Sequence, residues 1–167
     1  MADKYLRHNA GGLAEREALV VSTGAANAGA IFATDGTGRW DNSLMPVGLG
    51  ADTSIAVASE ALSAGDVVNK HDVAGGFRVR KADASANKPV HGFVLAAVVS
   101  GANATVHRSG SNTQVTGQTP GTKYLSTTPG AISATAPTVA GQISQEVGVA
   151  DSATSFSFRP QLPILLA

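Results

Sequence analysis

Two Pro-Gly pairs, Pro120-Gly121 and Pro129-Gly130, bracket a short run in which apolar and polar residues alternate. Across residues 117–137, GQTPGTKYLSTTPGAISATAP, a helix has no room to form. Proline removes a donor and fixes φ, while glycine supplies the backbone freedom that tight turns need. The stretch therefore predicts two short strands, at 123–126 and 131–134, joined by a turn at 127–130. It holds no carboxylate and no imidazole, so it contributes shape rather than acid–base chemistry.

The same grammar runs from residue 53 to the end. TSIAVAS (53–59) alternates as a strand, and Ala64-Gly65-Asp66 turns into 67–69. Gly75-Gly76 leads into FRVRK (77–81), whose Phe77 and Val79 share one face and whose Arg78 and Arg80 share the other. GFVLAAVVS (92–100) is a continuous apolar run, which predicts a central strand buried on both faces. ATVHR (104–108) alternates back, predicting a hairpin with that run, and 109–115 is expected to be a connection. QISQEVGVA (142–150) predicts a strand with a bulge at Gly148. TSFSFR (154–159) places Phe156 and Phe158 on one face, and Pro160 and Pro163 confine RPQLPILLA to an edge or an extended crossing. Short strands about ten residues apart predict an all-β, compact β-sandwich or barrel-like domain over 51–167.

Residues 1–50 differ. Glycine and alanine recur every few positions, and only 12–21, GLAEREALVV, has the composition of a helix, too short to be stable alone. The large apolar residues come singly: Ile31, Phe32, Trp40, Leu44, Met45 and Val47. No period of 3.6 or 2 links them, so the segment has no face with which to build its own core. Two readings remain, an extended N-terminal arm that orders on assembly and an ordinary disordered terminus. The cluster at 40–47, with the only tryptophan, favours the arm and makes these six residues the candidate partner-binding set.

Composition narrows the function. Charged residues are 14% of the chain, against roughly 25% in ordinary soluble domains, and aromatics are 5%. Small side chains make a thin core, which favours stabilisation through subunit contact. Twelve Lys and Arg balance twelve Asp and Glu, without a basic stripe, so no nucleic-acid partner is expected. Neutrality also permits dense packing of copies. No cysteine is present, which excludes disulfides and thiolate chemistry. The first ten residues contain no apolar run, so no signal peptide is expected, and no stretch approaches the ~20 apolar residues of a membrane-spanning helix.

No catalytic, cofactor or metal site is expected either. His8, His71, His91 and His107 have no metal-ligand spacing. Asp35-Gly36-Thr37-Gly38 lacks the repeated acids of a calcium loop and is better read as a turn. No G-x-S-x-G elbow and no G-x-G-x-x-G cradle occurs, and Glu15, Glu17, Glu60 and Glu146 show no paired-carboxylate pattern. Arg78, Arg80, Lys81 and Arg108 form at most a modest basic face, solvated or turned to an acidic neighbour.

Taken together, ATDGTGRWDNSLMPVGLGADT (33–53), EALSAGDVVN (60–69), RKADAS (80–85), HGFVLAAVVSGANATV (91–106), GQTPGTKYLSTTPGAISATAP (117–137) and VGVADSATSFSF (147–158) resemble small virion structural proteins of tailed bacteriophages. The family is that of capsid decoration or minor capsid proteins, whose β domain also occurs on head or tail fibres. The resemblance runs from about Gly24 to the C-terminus; the family usually carries two aromatics where this chain has Lys123-Tyr124. It implies a non-enzymatic protein on the capsid exterior of a virion. Its implied partners are the major capsid protein and itself, as a homotrimer that clamps neighbouring shell subunits, with no membrane partner. The alternative it leaves open is a head- or tail-fibre attachment or host-adhesion module.

Overall fold

The structure, a computed structural model, describes residues 3–9, 11–45 and 52–167. The chain divides into two compact units, 1–50 and 51–167.

In the first unit, β1 (Lys4–Asn9) and β2 (Gly12–Glu17) form an antiparallel hairpin with Lys4 opposite Glu17 and Asn9 opposite Gly12. The only stretch with helical composition is thus a strand. Its helix would have been under about three turns long without a buried face, whereas the hairpin satisfies the same backbone groups across a local turn. A Lys4–Glu15 ion pair at 2.9 Å decorates the hairpin. Two short 3-10 turns follow, at Ala25–Asn27 and Asn42–Leu44. Over the described residues the arm carries a hairpin and a run of turns. No described residue among 3–45 is buried.

The second unit begins as a closed five-stranded barrel: β3 (Thr53–Ala58), β4 (Val67–Val73), β5 (Gly76–Lys81), β6 (Gly92–Phe93) and β7 (Asn103–His107), in the order β3-β5-β4-β6-β7. Only β3 and β5 run parallel. So few strands enclose a narrow interior. Ala56, Ala58 and Ala104 fill it with Val68, Val79 and Val106, which is where the chain's small residues are needed.

A five-stranded antiparallel sheet accompanies the barrel: β8 (Gly110–Asn112), β9 (Gly121–Leu125), β10 (Ile132–Ser133), β12 (Glu146–Ser152) and β13 (Ser155–Phe158), in the order β10-β9-β12-β13-β8. The second core joins Phe93, Leu125, Val147, Phe156 and Phe158 to Val67. Phe93 and Phe158 meet with ring centroids 5.3 Å apart, and Phe156 meets Phe158 edge-on at 6.3 Å. Strand alternation links the cores: Val67 and Phe93 belong to one, and their neighbours Val68 and Val94 to the other. β11 (Ile143–Ser144) pairs with β14 (Ile164–Leu165) and returns the chain's end to the fold as an edge.

The all-β, barrel-like architecture matches the pattern of short strands. Three local expectations change. The apolar run 92–100 is a strand only at β6. Val94 then exchanges hydrogen bonds with the 65–66 turn, and Val98 bridges Leu62 further on, so the run wraps one end of the barrel. The hairpin expected between this run and 104–108 is reduced to one pair, Phe93 with His107, because β7 runs mainly along β3. The expected connection at 109–115 contains β8, an edge strand held by the buried Asn112, whose Nδ2 donates to the Gly65 carbonyl at 2.9 Å.

The 117–137 unit forms the β9–β10 edge as its turns predict. Gly130 sits there at φ 79, and a Cβ would come within 2.8 Å of the Asp66 carboxyl group, so only glycine lets this turn close against the 63–66 turn.

Candidate interaction surfaces

The six partner-binding candidates all belong to the first unit. A parallel bridge holds the first pair: Leu19 N–H donates to the Ile31 carbonyl at 2.8 Å, and Ala33 N–H donates to the Leu19 carbonyl at 3.0 Å. The backbone of Ile31 and Phe32 is thereby fixed while both side chains stay more than half exposed. Trp40 is 62% exposed, Met45 is exposed and Leu44 is half-buried. Val47 lies outside the described residues. Trp40 and Met45 line one shallow cleft of about 430 Å³ with Thr34 and Arg39, so these two anchors are brought together. Ile31 and Phe32 do not line it.

Asp35 and Asp41 shape this segment. Asp35 Oδ1 accepts from the Thr37 hydroxyl at 2.7 Å, from Thr37 N–H at 2.8 Å and from Arg39 N–H at 3.0 Å. Asp41 Oδ1 accepts from Ser43 N–H at 2.9 Å. These bonds, led by the hydroxyls of Thr37 and Ser43, hold both carboxyls below the usual aspartate range. The Asp35–Gly38 stretch is a turn in which the carboxylate serves its own backbone.

Potential chemistry is sparse. Among the described residues, no three His, Asp or Glu side chains converge as a metal site. Ser59 Oγ lies 3.1 Å from His71 Nε2, the spacing of a nucleophile and a base. The pair has no orienting third group: His71 Nδ1 is buried without a partner. Asp72, next in sequence, accepts from Gly75 N–H at 3.3 Å and so serves a turn. Burial, reinforced by Arg80 and Arg78, lowers the His71 pKa below 6.5.

The expected basic face is largely tied down. Arg80 Nε donates to Asn69 Oδ1 at 2.9 Å, Lys81 pairs with Asp66 at 3.4 Å and Arg108 pairs with Asp52 at 2.7 Å.

The second unit carries a larger cleft, of about 700 Å³, that no sequence pattern announced. Lys70 from β4, Phe77 from β5, His91, Arg108 and the 160–163 segment surround it. These positions lie up to 93 residues apart, and only the barrel joins them. Its floor is a buried amide: Gln145 Oε1 accepts from Val90 N–H at 2.7 Å, and Gln145 Nε2 donates to the Gln161 carbonyl at 2.9 Å. His91 Nδ1 accepts from Lys70 N–H at 3.0 Å, which puts the neutral ring's proton on Nε2. Burial and the nearby Lys70 charge lower the His91 pKa below 6.5. Phe77 shares a strand face with the fully buried Val79, as alternation predicts, yet lies beyond the core and is 77% exposed. No family model, no curated protein and no solved structure matches the chain.

Proposed function

We propose that this chain is a capsid decoration protein on the exterior of a tailed-bacteriophage virion. In this role the 51–167 unit is a rigid outer domain, and the first unit supplies the apolar anchors that grip the major capsid protein. The chain works without catalysis or cofactor, as a homotrimer. Neither nucleic acid nor membrane is its partner.

The supporting observation is the burial of the two units. The second contains two cores, whereas no described residue among 3–45 is buried, even though the segment contains Ile31, Phe32, Trp40 and Met45. Apolar side chains held on a fixed backbone without a core of their own are suited to a partner surface. Each contributes roughly 1.5–3 kcal/mol on full burial. Three copies of a weak contact in one trimer multiply by effective concentration.

The test uses phage heads assembled without this chain. The full-length protein is expected to co-sediment with them at hundreds of copies per head, and a Phe32→Ser, Trp40→Ser variant is expected to remain in the supernatant. Full occupancy by that variant would sink the role of the anchors. A handful of copies per particle would instead favour a fibre-attachment role.

A further inference from the structure

The cleft of the second unit has its own chemistry, and the isolated chain suffices to test it. Its volume, about 700 Å³, lies within the range of ligand sites, roughly 300–1,000 Å³. Pro89, Pro160 and Pro163 line it. Proline has no N–H to offer, so these walls are poor templates for backbone strand pairing. Recognition there falls to side chains. Phe77 and Leu162 present the apolar part, with Leu162 86% exposed.

The polar part carries two cations, Lys70 and Arg108, beside the neutral His91. Lys70, His91 and Arg108 line the cleft, and no carboxylate does. Arg108 has Asp52 as its counter-ion. Lys70 Nζ instead donates to the Ser54 hydroxyl at 2.7 Å, a neutral partner. Burial first, and then the Arg108 charge, lower the Lys70 pKa, and Asp52 offsets them only in part, so the ammonium is incompletely compensated. The His91 tautomer leaves Nε2–H as a further donor. An anionic group entering here would offset the like-charge pair, and an apolar side chain beside it would cover Phe77 and Leu162.

We propose that this cleft docks an extended acidic peptide segment of a partner protein, with a carboxylate at Lys70 and His91 and a bulky apolar side chain against Phe77 and Leu162. Charge complementarity selects the acidic residue, and the proline walls select side-chain recognition over strand addition.

The experiment pans a randomised twelve-residue peptide library on the immobilised full-length chain. The best selected peptide, labelled, is then titrated by fluorescence anisotropy. Enrichment of sequences that combine Asp or Glu with an aromatic or large aliphatic residue is expected. Lys70→Met, which keeps the apolar stem, and Leu162→Ser, at an exposed position, should each weaken binding at least tenfold while leaving the melting temperature unchanged. Raising salt should weaken binding to the wild type more than to Lys70→Met. No enrichment, enrichment of neutral or basic sequences, or binding indifferent to both variants overturns the proposal. So does a concentration-dependent oligomer abolished by Leu162→Ser, which would assign the cleft to a second copy. Tighter binding of a heparin-derived hexasaccharide than of the selected peptide would likewise assign it to an anionic glycan.

Discussion

Gln145 and Val90, 55 residues apart, exchange two hydrogen bonds: the side-chain amide oxygen accepts from Val90 N–H at 2.7 Å, and the amide nitrogen donates to the Val90 carbonyl at 3.3 Å. A side chain thus stands in for a neighbouring strand. The same nitrogen donates to Gln161, so one buried glutamine joins the 90–91 segment to the 160–163 wall of the cleft. Gln145→Leu keeps bulk but leaves Val90 N–H buried without an acceptor, which costs about 1–3 kcal/mol. Denaturant unfolding should show that loss. Amide exchange should accelerate at Val90, and an unchanged rate there would contradict the linkage.

Gly148 is irreplaceable on different grounds. The register between β9 and β12 shifts between Glu146 and Gly148, and Gly148 holds φ 141. A Cβ there would collide with the Ser157 carbonyl oxygen of β13. Strain and collision together predict that Gly148→Ala destabilises the second unit by about 3 kcal/mol or more. A thermal melt within a degree of wild type would refute this.

These two residues mark what the sequence could disclose. Gly148 was legible as a bulge because a lone glycine inside an alternating strand has few other uses. Phe156 and Phe158 were equally legible, since period-two spacing assigns both to one face, and both are buried. Gln145 gave no signal, because its partners are backbone atoms of segments remote in sequence. The run 92–100 misled for a related reason. Apolar continuity suggested burial throughout, yet only 92–94 are buried and Val99 is 72% exposed, because the path of the chain depends on the 65–66 turn and on Leu62, which bind it beyond β6. The cleft was invisible for the same cause: Lys70, Arg108 and Leu162 become neighbours only through barrel closure. Within 12–21, topology outweighed composition: pairing of Gly12–Glu17 with β1 replaced a helix that had nothing to pack against.

Ala104 sets the bore of the barrel. It is fully buried opposite Ala56 in the β3–β7 pairing, where two methyl groups let the strands close. Ala104→Leu forces three additional carbons into a filled interior and should cost about 1–3 kcal/mol, read by chemical denaturation. Ile55→Ala, at an exposed position on the paired strand β3, should change stability by less than about 0.5 kcal/mol. Equal losses from both would mean that the barrel interior is not close-packed.

Acid should loosen the second unit through His71 and His91. Both imidazoles bind a proton less readily in the fold than their ordinary value of 6.5, principally through burial. Lys70 adds to this at His91; Arg80 and Arg78 add to it at His71, where the nearby Asn69 backbone and Asp72 oppose them. Between 6.5 and the lowered folded values, the unfolded chain holds more protons than the folded one. Stability is therefore complete above pH 6.5 and falls as pH drops through that window. Protonation of His91 at Nδ1 would also cost the bond from Lys70 N–H. Denaturant midpoints measured at pH 7.5 and pH 5 should differ in that direction. A His71→Gln, His91→Gln variant should be less stable at pH 7.5 and show a flatter pH dependence. A slope as steep in the variant as in the wild type would place the acid sensitivity elsewhere.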